Sequence, residues 1–358
     1  MNILSIDTNK NAKLALQSSK SLLEYANKIL ATQNSRDIFQ NYKNLNLSAS
    51  FWHRHSVSSV AITADGKYLV SCDGNHDYNG VIKLWDIEKQ KEIRTFEKHN
   101  ENITSVAISP DDSYIVAGSA DNKITLLDSS SGKEMQIFQG EFSAEIAIAI
   151  SSDGKYLAVG DGVSDNYGKI TLWDIKCGEK LREFQWHDSL ISSVAFTPNG
   201  KYLLSSSWDQ TIKLWDLNTA EAIRTFEGHS YFVSSVAITP DGRYIVSGSW
   251  DRSIKLWDIN SGKEVRSFHG HKAEISSVAV SPDGKYIVSG AWDDTLKVWN
   301  IDSGKEIYSY DLKSSVNCVT VSSDGRYIVS GNSDGSVKLF NDSKNILEID
   351  INEDEIPF

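Results

Sequence analysis

The chain has 358 residues and a formal net charge of −12. That length allows one large all-β domain or two ordinary ones. The acidic balance argues against sequence-independent nucleic-acid binding and against docking on anionic lipid, both of which need clustered Lys and Arg. The three cysteines, Cys72, Cys177 and Cys318, are odd in number and far apart, with no CxxC pair. This points away from a disulfide framework or a thiolate zinc site and toward reduced thiols in the cytoplasm. No apolar run approaches the roughly 20 residues of a membrane span. The start, MNILSIDTNKNAKLALQ, lacks the basic stretch, apolar block and cleavage site of a secretion signal.

Residues 1–44 read as a short helical N-terminal extension. The stretch AKLALQSSKSLLEYANKILATQ (12–33) places Ala15, Leu22, Leu23, Ala26, Ile29 and Leu30 on one face at helical spacing. Such a helix either docks on the rest of the chain or tethers it to a partner or a second copy. From residue 45 the chain repeats itself. Aligned on KLWD, the anchors are Trp85, Leu127, Trp173, Trp215, Trp257, Trp299 and Phe340, spaced by 42, 46, 42, 42, 42 and 41 residues. The units fall at about 53–98, 99–140, 141–186, 187–228, 229–270, 271–311 and 312–351. Each has short Val-, Ile- and Tyr-rich runs separated by turns, Asp-Gly or Asn-Gly in all but the second unit, as in VSSVAITPDGRYIVSGSWDRSIKLWD (233–258), and a further run such as EAIRTFEGH (221–229). These are hairpin signals, so each unit supplies four antiparallel strands. One such sheet cannot bury both faces alone, whereas seven arranged radially bury each face against a neighbour.

A second pattern lies inside the units. His187, His229 and His271 each precede a serine by 18 residues (Ser205, Ser247, Ser289). Four residues after each serine comes Asp209, Asp251 or Asp293, and six further on comes Trp215, Trp257 or Trp299. The other units depart from this pattern. The first keeps His53, Ser71 and Trp85 but has a longer turn, DGNHDYNG (73–80). The second keeps His99 and Asp121 with Ala117 and Leu127. The third has Glu141 and Val159 and a long turn, DGVSDNYG (161–168). The seventh has Leu312, Ser330, Asp334 and Phe340. In the third unit Glu145 stands where the siblings carry Val or Ile, so either the register slips there or a carboxylate points into the channel. The tail 352–358 is acidic.

The period, the GH and the WD recur together, and in this the chain resembles the WD-repeat β-propellers over about residues 45–351. The resemblance implies an all-β, seven-bladed propeller of four-stranded antiparallel blades. It also implies that Trp, Ser, His and Asp form a structural hydrogen-bonded tetrad within a blade. Three intact copies argue against reading Ser, His and Asp as a hydrolase triad. Propellers of this family usually complete the last blade with an N-terminal strand. Two segments compete for that place, NLNLSASFW (44–52) and NILEIDI (345–351). His53 favours the first, because it sits at the turn that follows a fourth strand in the other units.

Trp208, Trp250 and Trp292 stand in the turn before the tetrad aspartates, where other units carry Ala120 and Ser333. The fold therefore does not need tryptophan there. In the family, partners commonly bind on the disc face that holds this turn and the positions one and three residues after the tetrad histidine. Carried over, these are Asp188 and Leu190, Ser230 and Phe232, Lys272 and Glu274. The expectation is an exposed aromatic arc of Trp208, Leu190, Trp250, Phe232 and Trp292 that binds a protein or peptide partner. The opposing reading is that each turn tryptophan lies over its own blade and shields the tetrad.

A non-catalytic interaction scaffold is the reading these observations favour, with no cofactor and no metal. The recurring PDG and SDG (Asp153, Asp241, Asp283, Asp324) fit turn chemistry better than calcium, which needs several oxygens within about a dozen residues. The histidines show no HxxxH or HExxH spacing. The alternatives are an enzyme with its site in the central channel, or a structural subunit of a homo-oligomer built through residues 12–33. The channel-facing runs read SSVA, TSVA and IAIA, with Glu145 the one ionisable exception.

Overall fold

Strands arise here because each run of the repeat alternates its side chains between two surfaces that another blade must cover. The computed structural model describes residues 45–342 except 75–78, 98, 141, 143–145 and 163–166. The expected helix at 12–33, Glu141, Glu145, the segment 345–351 and the tail 352–358 lie outside the described residues. The chain forms seven four-stranded antiparallel sheets. In the fifth, the innermost strand is Val233–Ile238, followed outward by Tyr244–Ser249, Ser253–Asp258 and Glu264–His269. The second strand is buried along almost its whole length, while the outermost is polar and largely exposed. Its crowding shows at Gly248, where a β-carbon would come within 2.7 Å of Ile275 in the next blade. The connecting turns follow their chemistry. Gly242 adopts φ +69°, and the Asp241 carboxylate accepts the Arg243 amide at 3.0 Å and the Thr239 hydroxyl at 2.5 Å.

Innermost strands of successive sheets touch around a closed ring, with the seventh meeting the first. The core consists of the layers between blades. One layer sets Leu204, Ile212, Leu214 and Phe226 of the fourth blade against Val233, Val236, Ile245 and Trp257 of the fifth. In most blades an outer-strand aromatic packs against the third-strand aromatic of the next. The pairs include Phe138–Trp173 at 5.8 Å, Phe184–Trp215 at 5.9 Å, Phe226–Trp257 at 6.1 Å and Phe268–Trp299 at 6.1 Å.

The seventh sheet closes the ring. Its strands Val316–Val321, Tyr327–Asn332 and Ser336–Asp342 are completed by Leu45–Trp52, antiparallel, with Phe51 opposite Val337 and Ala49 opposite Leu339. The N-terminal segment thus holds the outer position, as the turn at His53 implied. Phe51 then packs on Trp85 of the first blade at 5.1 Å. The Tyr308 hydroxyl donates to the Leu45 carbonyl at 2.7 Å.

The seams are also latched beside the central channel. A side chain near the start of one inner strand donates to a main-chain carbonyl of the next: Ser58 to Ile103 at 2.5 Å, Thr104 to Ile146 at 3.0 Å, Ser192 to Val233 at 2.5 Å, Ser234 to Ile275 at 2.5 Å, Ser276 to Val316 at 2.5 Å and Asn317 to Val57 at 2.9 Å. Between the third and fourth blades the corresponding residue is Ala147, which has no donor to offer Ile191.

Candidate functional site

Two constellations stand out, one inside the blades and one on a face of the disc. In the fourth blade Trp215 donates its indole N–H to the Ser205 hydroxyl at 2.8 Å. That hydroxyl lies 2.8 Å from His187 Nε2, and His187 Nδ1 lies 2.7 Å from the Asp209 carboxylate. A carboxylate can only accept, so Nδ1 carries the proton and Nε2 accepts from serine. The proton order is therefore Trp to Ser to His to Asp. The fifth blade repeats it through Trp257, Ser247, His229 and Asp251 at 2.9, 2.7 and 2.8 Å. The sixth does so through Trp299, Ser289, His271 and Asp293 at 2.8, 2.7 and 3.0 Å. Each aspartate also accepts a hydroxyl, from Thr211, Ser253 or Thr295, and the main-chain amide of Asp188, Ser230 or Lys272. Burial alone would raise the Asp209 carboxyl. The hydrogen bond from His187, with those from the Thr211 hydroxyl and amide, outweighs it and brings the pKa down to about 2. Asp251 and Asp293 are lowered by the same balance of burial against their histidine and hydroxyl partners.

Above these networks, on the face that carries the tetrad turns, five aromatic rings touch. Trp208 stacks on Phe232 at 4.9 Å with planes 6° apart and reaches Trp250 at 5.7 Å. Phe232 lies 4.4 Å from Tyr231 and 5.4 Å from Trp250, which in turn meets Trp292 at 5.0 Å. Tyr231 and Trp292 remain 47% and 43% exposed, and Trp208, Phe232 and Trp250 are half-buried. The main chain beneath owes nothing to the indoles. The amides of Trp208, Trp250 and Trp292 donate to Leu190, Phe232 and Glu274 at 3.0, 2.9 and 2.9 Å. Ala120 and Ser333 make the same bond to Asn102 and Ser315 at 2.8 and 2.9 Å. Three of the five rings, Trp208, Trp250 and Trp292, border a cavity of about 420 Å³ at the mouth of the channel. It is walled by Ser58, Thr104, Ile146, Ala147, Ile191, Ser192, Ser234, Ser276 and Asn317.

Comparison with known families agrees with this geometry. Residues 25–258 match the family model described as the first β-propeller of IFT122, and residues 262–300 and 304–341 match the WD domain, G-β repeat. The chain belongs to the WD-repeat β-propellers. Among curated proteins it is similar to Protein groucho of Drosophila melanogaster, 33% identical over 90 residues. That match takes in 25% of this chain and 11% of the relative, so the chain spans about a tenth of the curated relative's length.

Within this WD-repeat chain several positions differ from the sequence reading. Leu190 is a correction, because it is only 5% exposed and turns into the interior beneath Trp208 instead of joining the arc. Asp188, Ser230 and Lys272 are exposed and Glu274 is half-buried. Tyr231 joins the cluster from the position two after His229, which the family resemblance does not point to. Its signal was an aromatic beside Phe232 in a turn. The first blade holds a fourth near-complete network. His53 lies 2.6 Å from Ser71, and Trp85 donates to Ser71 at 2.7 Å. Asp73 comes two residues after the serine instead of four and brings its carboxylate to 3.2 Å from His53 Nδ1, off the line of a hydrogen bond. The Asp-Gly that opens the longer turn was the clue. In the second blade His99 keeps Asp121 at 3.1 Å but leaves Nε2 buried without a partner, because Ala117 and Leu127 offer none. In the third, Trp173 donates instead to Thr171 at 2.9 Å. In the seventh, the Ser330 hydroxyl is buried without a partner beside Leu312 and Phe340.

Proposed function

We propose that the protein is a non-catalytic scaffold that binds a protein or peptide partner on the face carrying Trp208, Tyr231, Phe232, Trp250 and Trp292. The observation that carries this reading is the contact of five aromatic rings, three of them tryptophans at turns whose backbone closes identically over Ala120 and Ser333. Large aromatics kept at a surface where the fold does not need them mark an interaction site, and tryptophan is the side chain most enriched among binding hot spots. The tetrads hold this face rigid, so a partner meets it with little ordering cost. The hydroxyl, amide, aliphatic and indole lining of the channel supports a binding role there rather than acid–base chemistry. The three unpaired cysteines, with Cys177 exposed, support a reducing compartment, the cytoplasm.

Affinity capture from a native extract tests the reading, with wild type against Trp208→Ala/Trp250→Ala/Trp292→Ala. The triple variant is expected to keep its cooperative melting and to lose the retained proteins. An unchanged set of retained proteins would overturn the assignment.

A further inference from the structure

The mouth of the channel carries a chemical preference that the aromatic face alone does not. Its hydroxyls are oriented by the seam latches. Ser58, Thr104, Ser192, Ser234 and Ser276 each direct a proton to a carbonyl of the neighbouring blade. A hydroxyl has one proton and two lone pairs, so what these five can still offer a ligand is acceptor capacity. Asn317 spends its amide hydrogens on Ser56 and Val57, and its oxygen accepts from Ser333. At the one unlatched seam, Ala147 supplies no side-chain donor to the Ile191 carbonyl. The wall is therefore acceptor-only, and above it stand three indoles whose π faces are electron-rich. No Lys, Arg, Asp or Glu lines the cavity among the described residues.

We propose that the channel mouth, in the partner-binding face argued above and resting on that reading, receives a donor-only cationic side chain, an arginine or lysine of the partner. A guanidinium or ammonium has hydrogen-bond donors and no acceptors, which matches the wall. Its charge is attracted to indole faces, and the net charge of −12 draws cations toward the molecule. An acidic side chain reaching past the indole N–H groups meets lone pairs alone. An aliphatic one strips water from the hydroxyl ring without replacing its hydrogen bonds.

The test uses the full chain and fluorescein-labelled peptides Gly-Gly-X-Gly-Gly, with X arginine, lysine, citrulline, norleucine or glutamate, read by anisotropy. The arginine or lysine probe is expected to bind about tenfold more tightly than the norleucine and glutamate probes, and to weaken as salt is raised. Ala147→Glu is expected to tighten the cationic probes about tenfold and Ala147→Lys to abolish them, with melting temperatures recorded for both. Norleucine or glutamate binding as well as arginine overturns the cationic assignment, as does indifference of the arginine probe to both Ala147 variants. Either result leaves the scaffold reading standing if the tryptophan triple variant still loses its partner. Loss of the cationic preference together with an unaffected capture overturns both.

Discussion

Removing one carboxylate from a tetrad gives the sharpest test of what holds the blades rigid. In Asp251→Ala four hydrogen bonds vanish: those from His229 Nδ1 at 2.8 Å, the Ser230 amide at 3.0 Å, the Ser253 amide at 2.9 Å and the Ser253 hydroxyl at 2.6 Å. Of these donors the Ser230 amide belongs to an exposed residue, where water can replace the lost partner, whereas Ser253 is buried. The fourth, His229 Nδ1–H, is on a side chain 1% exposed and would be stranded. An unsatisfied buried donor costs about 1–3 kcal/mol. The urea midpoint is expected to fall by the equivalent of about 1–3 kcal/mol with an unchanged m-value. Asp251→Asn should recover part of it, because the amide oxygen still accepts from Nδ1. Arg252→Ala, one residue away and exposed, is the control. An Asp251→Ala midpoint that matches this control would refute the tetrad as a source of stability.

Three further outcomes follow from the same geometry. Trp215→Phe, which strips the indole N–H from a side chain 1% exposed and strands Ser205, should lower the melting temperature clearly more than Trp208→Ala, whose ring is half-buried and stacked only on surface aromatics; equal losses in calorimetry would make both tryptophans core. Deleting residues 45–52 removes a whole strand and the Phe51–Trp85 contact, so circular dichroism should show loss of cooperative unfolding, whereas deleting 343–358 should be mild; the reverse order of damage would contradict the observed closure. Acid titration should weaken the fold between about pH 4 and about pH 2. The Asp209 carboxyl is lowered in the folded chain from 3.8 to about 2, so its contribution is complete above the unfolded value and is lost as pH falls through the folded one; an Asp209→Asn variant with the same acid midpoint as wild type would contradict this.

The repeat and its blades were legible because they depend on period, and a 42-residue period with turn residues at fixed offsets admits few architectures. The intact tetrads were legible for the same reason. Leu190 was misplaced because spacing gives a position on a loop but not the direction of its side chain. The neighbouring turn amide pins that loop to the blade, and an aliphatic residue there turns inward. Asp73 was hidden because its network is made by geometry across a longer turn, which no fixed spacing encodes. The seam latches were invisible for a related reason. The serines of SSVA look like small filler in a crowded channel, and their partners lie some 40 to 45 residues away in another blade.

The shared seventh blade also sets the order of events as the chain is made. Ser48 and Leu339, which are hydrogen-bonded across that sheet, are separated by 291 residues. At about 5–20 residues per second of synthesis, the strand at 45–52 waits roughly 15–60 seconds for its partner. Throughout that interval Ala49 and Phe51 present an unpaired edge with an apolar face, the kind of surface on which nascent chains associate wrongly. Relocating those eight residues to follow Asp342 in a circular permutant would turn the longest-range pairing in the molecule into a hairpin. Such a chain should reach the same ring faster and with less loss to aggregation, because the entropy of closing the largest loop is no longer a condition of finishing the core.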